Sequence, residues 1–266
     1  MDAHLENPRI SNWTVTTNYD FLKLANHGLA LRTLNEEDGL KQWGLVMIRC
    51  TYDSQEKWDT FIKIVKERTN AKLFTFDEGD AAALRDTVAW TIIEDPQLDG
   101  ASILDSSRRF HEWVKTEGPK EKEGSVYENL PSYCPRYEYF IHVDAPMLEA
   151  MWADVNAHNG SDGPEDWSEK NDYMVVVNPS EVMHLDAQLQ ARGQESFIDP
   201  WTGNEHPLIE EDLVMIELDD DDEDGFRSKK MKVPSFFDIY WQLARFPGLN
   251  PWELFYLHDD GFFWTE

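Results

Sequence analysis

Cysteine is nearly absent: this chain of 266 residues has two, Cys50 and Cys134. Two thiols cannot build a disulfide framework or a four-cysteine zinc site. Basic residues are scarce as well, with 24 Lys and Arg against 52 Asp and Glu and a formal charge of −28 at pH 7. Proteins that grip DNA or RNA neutralise phosphates with cations, so no nucleic-acid partner is expected. Attraction to anionic membranes is disfavoured on the same ground. No run of about 18 apolar residues occurs, and the opening MDAHLENPRI lacks the basic and apolar blocks of a signal peptide. These absences set the expectation of a soluble, cytoplasmic protein. H-E-x-x-H, G-x-S-x-G, Walker A and G-x-G-x-x-G patterns are missing too. No cofactor and no metal is therefore expected.

What is present is enough for a core. Hydrophobic residues make up 41% of the chain, and its eleven tryptophans read first as core and loop anchors, second as the lining of a pocket. Residues 1–17 read as a polar arm, and a helical pattern follows in NYDFLKLANHGLALRTL. WGLVMIRCTY is an apolar, β-prone run from Trp43, and Asp53 with Glu56 predicts a helix start. Trp58, Phe61, Ile62 and Val65 then recur at the spacing of a helix lying on a sheet. TVAWTIIED predicts a second strand, and ASILDSSRRFHEWVK a helix capped by Ser102 and Asp105 with Ile103, Phe110 and Val114 inward. Residues 117–133 read as a charged loop.

RYEYFIHVD predicts a third strand running into APMLEAMWADV, where Asp144 caps, Pro146 fits the first turn and Leu148, Met151, Trp152 and Val155 repeat the earlier spacing. DYMVVVNP predicts a fourth strand ended by Pro179. Two strand–helix–strand halves point to an α+β fold, a ferredoxin-like (split βαβ) sheet with helical insertions. The C-terminal third adds the acidic loop 217–225, with six consecutive acids at 219–224, and the aromatic segment 231–266, read as a Pro-started helix and a terminal strand packed back on one domain spanning 18–266. Asp220, Asp222, Asp224 and Gly225 match half of a calcium loop, but Met231 stands where a bidentate Glu is needed.

The order WGLVMIRCTY, TVAWTIIEDPQLDGASILDSSRRFHEWV, PRYEYFIHVD, then MKVP before an aromatic helix resembles a large group of uncharacterised filamentous-fungal proteins. The resemblance spans roughly residues 40–260 and implies no activity and no site residue.

Arg49 is the residue that strand periodicity makes conspicuous. Alternation puts it on one side of the first strand with Leu45 and Met47, and Val46, Ile48 and Cys50 on the other. In the third strand Glu138, Phe140 and His142 oppose Tyr137, Tyr139 and Ile141. If the all-apolar sets face the helices, Arg49, Glu138 and His142 gather on the opposite face of the sheet. A buried cation needs a partner, and Glu138 can supply it, either as a structural ion pair beneath the C-terminal aromatic segment or as part of a ligand site. His142 beside them is placed to act as a general base near neutral pH. Trp90 is expected to line the pocket.

Two functions follow from this reading. The first is a small-molecule-binding protein or cofactor-free tailoring enzyme, with Arg49 and Trp90 binding and His142 and Glu138 carrying acid–base chemistry. The second is a non-enzymatic module whose acidic loop or aromatic C-terminus engages a basic or apolar protein partner. Glu181 and His184 in EVMH have Glu-x-x-His spacing, but carboxylate-bridged metal sites use two such motifs and the chain has one. Cys50 reads as a small core residue.

Overall fold

Residues 42–73, 78–124, 134–158, 173–209, 228–232 and 240 are described by a computed structural model. The N-terminal arm and first helical pattern, the acidic loop and nearly all of the aromatic C-terminus lie outside these residues. Elements follow in the order β1 (Val46–Arg49), α1 (Gln55–Leu73), α2 (Glu78–Thr87), β2 (Ile92–Glu94), α3 (Ile103–Lys122), α4 (Pro135–Glu138), β3 (Phe140–Val143), α5 (Ala145–His158), β4 (Tyr173–Val177), α6 (Pro179–Gln190), β5 (Ser196–Ile198), β6 (Glu205–Pro207) and β7 (Ser228–Lys232).

Helix starts follow their caps. Ser102 accepts the amide of Asp105 at the head of α3, and Asp144 accepts that of Met147 at the head of α5, both as the sequence predicts. At α1 the cap is Ser54 rather than Asp53, its hydroxyl taking the Lys57 amide at 3.3 Å. Helix α3 also runs on through Pro119 to Lys122, so the expected loop from 117 begins later. The third strand is shorter than predicted: Pro135 opens a helical turn through Glu138, and only Phe140–Val143 pair in the sheet. Ser228–Lys232 form an edge strand where a helix entry was expected.

The sheet order is β2-β1-β3-β4-β7. β1 lies parallel to both β2 and β3, while β3–β4 and β4–β7 are antiparallel. The α+β character and the central β1–β3 pair are as expected. The split-βαβ order is not: that fold separates the two strands of each βαβ half by another strand, whereas β1 and β2 are hydrogen-bonded neighbours.

Helices cover both faces of the sheet. Leu45 just before β1, Met47 of β1 and Ile141 and Val143 of β3 pack with Trp58, Phe61, Leu148 and Met151 of α1 and α5. Val46, Ile48 and Phe140 pack on the other side with Phe110 and Trp113 of α3 and Val182 of α6. All four residues of β1 and all four of β3 are buried. Strands enclosed from both sides read as continuous apolar runs rather than alternating ones, and WGLVMIRC is such a run. Gly44, just before β1, has φ +111°, and a Cβ there would meet the Ala89 carbonyl oxygen at 2.9 Å, so glycine alone fits where β1 enters beside the chain leading to β2. Tyr240, the described member of the C-terminal aromatic set, is buried against Trp43 with ring centroids 5.5 Å apart.

Candidate functional site

Register decides which side chains meet. Arg49 pairs with Val143 and Ile48 with His142 across β1–β3. Arg49 therefore projects into the α1/α5 layer, and His142 into the α3/α6 layer. The expected gathering of Arg49, Glu138 and His142 on one face does not form. The apolar set of β3 shares its face with the arginine set of β1, because helices cover both sides and neither face had to be polar. Glu138 lies in the α4 turn, outside strand alternation, and is not the partner of Arg49. Trp90 packs on the same layer as Arg49, with Lys66 Nζ 5.9 Å from its ring. It sits four residues before Glu94, the register partner of Arg49, roughly 13 Å back along the sheet.

Arg49 is 3% exposed and ends β1 at the carboxyl edge of the parallel strands. Its Nε donates to the Thr51 carbonyl at 2.9 Å, and its Nη1 donates to Gln55 Oε1 and Glu94 Oε1, both at 3.0 Å. The guanidinium carbon lies 4.4 Å from the Tyr52 ring centroid and 4.8 Å from that of Trp58. Two aromatic faces and three hydrogen bonds thus hold the fork in place. Nη2, with two further N–H donors, has no partner among the described residues. Nearby, the Tyr52 hydroxyl is buried without a hydrogen-bond partner. Burial raises its pKa, opposed by the Asp95 amide, which faces the oxygen outside hydrogen-bonding geometry, and by Arg49. Sequence reasoning missed Glu94, Gln55 and Tyr52; "R-C-T-Y" carries the signal, since an aromatic three residues past a strand-end arginine can fold back onto it.

On the opposite layer His142 is 3% exposed. Its Nδ1 is 2.9 Å from Ser106 Oγ and 3.5 Å from Cys50 Sγ, and its Nε2 is 3.9 Å from Asp144 Oδ2. Burial lowers the imidazole's pKa, against the pull of Asp144, so the ring is neutral at pH 7. Ser106 Oγ also lies within bonding distance of the Ile103 and Ser102 carbonyls, so it can accept from Nδ1 while donating to its own helix, or donate to Nδ1. The Cys50 thiol is pushed up to about 12, by burial first and then by Asp144 and Asp105, and stays protonated. Base, hydroxyl and thiol are together here, but Ser106, Cys50 and His142 are all enclosed. This is a satisfied polar core cluster.

Glu181 and His184 do not converge on a metal. His184 pairs instead with Asp199, Nδ1 to Oδ2 at 2.6 Å. Among the described residues no group of three or more His, Cys, Asp or Glu side chains could hold a metal ion, and no helix is long and apolar enough to cross a membrane. Comparison with protein-family models, curated proteins and solved structures finds no match.

Proposed function

We propose that this chain is a small-molecule-binding protein that receives a carboxylate or carbonyl group of its ligand at Arg49 and Tyr52. One observation carries the reading: at a single place, the outer guanidinium nitrogen of a buried arginine and an enclosed tyrosine hydroxyl lack partners among the described residues. A buried hydroxyl left unpaired costs about 1–3 kcal/mol; an acceptor-bearing ligand relieves it and takes the free guanidinium donors as well. The position supports it, because ligands of open parallel sheets bind beyond the carboxyl ends of the strands. The tailoring-enzyme extension needs a proton-transfer group within reach. His142 lies across the sheet, so no acid–base step is assigned to it.

The test is a thermal-shift screen of small carboxylates and keto acids on wild type, Arg49→Lys and Tyr52→Phe. A ligand at a hundred times its dissociation constant adds about 2.7 kcal/mol of stability. Arg49→Lys is expected to weaken such a ligand at least tenfold, since an ammonium cannot present the planar fork. Without ligand, Tyr52→Phe should be neutral or stabilising by up to about 1 kcal/mol, because it removes an unpaired hydroxyl. Equal ligand shifts in all three proteins, or a clear loss of stability in ligand-free Tyr52→Phe, would defeat the reading.

A second reading, the non-enzymatic interaction module, draws on the charge of −28 and on the packing of helices over both sheet faces among the described residues. Salt-sensitive binding of poly-lysine that disappears when residues 219–224 are replaced by Ser and Asn would favour it.

A further inference from the structure

Away from the carboxyl edge, the β5–β6 hairpin is docked onto α6 through His184. Asp199, in the hairpin loop, accepts the amides of Trp201 and Thr202 at 2.7 and 2.8 Å as well as bonding His184 Nδ1. Those bonds fix the carboxylate, and the carboxylate fixes the imidazole. His184 Nε2 is left without a protein partner among the described residues, and the side chain is 32% exposed. Facing it is His206 of β6, ring centroids 5.7 Å apart at 78°, with no hydrogen-bond partner on either ring nitrogen among the described residues. Phe197 braces both rings, edge-on to His184 at 4.9 Å and stacked on His206 at 5.7 Å.

We infer that His184 and His206 form a two-imidazole site for a borderline transition-metal ion such as Zn²⁺ or Ni²⁺. Two imidazoles on one tetrahedral ion, each at about 2.0–2.1 Å, hold their ring centroids roughly 5 Å apart. The observed spacing of 5.7 Å is within about 1 Å of that. The Asp199–His184 bond is the outer-sphere arrangement that metal-bound histidines use, a carboxylate fixing the tautomer and raising the basicity of the free nitrogen. Asp199 thus orients rather than ligates, and water completes the coordination sphere. Imidazole nitrogen suits Zn²⁺, Ni²⁺ and Cu²⁺ and not Mg²⁺ or Ca²⁺. Bound metal would pin the hairpin to α6.

The test is titration of the full chain with ZnCl₂ and NiCl₂, followed calorimetrically and by thermal shift. His206→Gln is the decisive variant, because its ring makes no hydrogen bond the fold depends on. It should lower affinity at least tenfold and abolish the thermal shift. Asp199→Asn should weaken binding about 10- to 100-fold. Excess Mg²⁺ should not compete, which separates this site from the acidic run at 219–224. Absence of saturable Zn²⁺ or Ni²⁺ binding, or binding that His206→Gln leaves unchanged, would overturn the inference.

Discussion

Glu121→Ala should cost about 3–5 kcal/mol, the penalty for stranding a buried charge. The charge is that of Arg136, which is 0% exposed. Its Nε and Nη2 donate to the two oxygens of Glu121 at 2.7 and 3.0 Å, Nη1 to the Gly44 carbonyl at 3.0 Å, and Nη2 also to Thr91 Oγ1 at 2.6 Å. One side chain so ties the end of α3 to the entries of β1 and β2. Burial works against the charge, and the hydrogen bonds and charge of Glu121 more than restore it. Against a total stability of about 5–15 kcal/mol the loss is large. At about 2–4 °C per kcal/mol for a domain of this size, the melting temperature should fall by roughly 10 °C. The double variant Arg136→Met, Glu121→Leu should recover much of it, because a matched apolar pair leaves no orphan charge. A single-variant loss under about 1 kcal/mol would show that the charge finds water, and the brace would not be what joins these elements.

That brace marks where sequence reading runs out. Helix positions such as 58/61/65 and 148/151 were legible because one apolar stripe must face the sheet, and Trp58, Phe61, Val65, Leu148 and Met151 are all buried. Caps at Ser102 and Asp144 were legible because side-chain oxygens satisfy orphan amides locally. Strand alternation around Arg49 was right within β1. What failed was the relation between strands: nothing in WGLVMIRC or YFIHVD says that Arg49 lies beside Val143 rather than His142. That register is chosen by packing on both faces. Arg136 was hidden for a similar reason. In CPRYEY it reads as one residue of an alternating strand, whereas Pro135 opens a helical turn and sends the guanidinium inward to a glutamate 15 residues back. The continuous apolar character of WGLVMIRC was the available clue that no sheet face would be open.

Glu138→Gln should raise stability at pH 8 and leave it unchanged at pH 4. Burial pushes the Glu138 carboxyl up to about 7, and among the described residues no hydrogen bond or ion pair supports its charge. An unfolded glutamate titrates near 4.3. Below about pH 4 both states hold the proton and the residue is neutral in its effect. Between about 4.5 and 7 the unfolded chain releases a proton that the folded chain keeps, so stability falls as pH rises. Above about 7 both states are ionised and the loss is complete. Partial solvent access limits that loss to about 2 kcal/mol. Glutamine keeps the shape and removes the titration, so its melting temperature should exceed wild type by roughly 4–8 °C at pH 8. With a formal charge of −28, any lost acid also relieves long-range repulsion. An exposed control such as Glu195→Gln measures that part separately. Wild-type and Glu138→Gln stability curves that run parallel from pH 4 to 8 would mean that the carboxyl is not held in its protonated form. If the curves diverge as argued, residue 138 carries a carboxyl that exchanges its proton near neutrality within the folded chain, two residues beyond an arginine committed wholly to Glu121, Gly44 and Thr91.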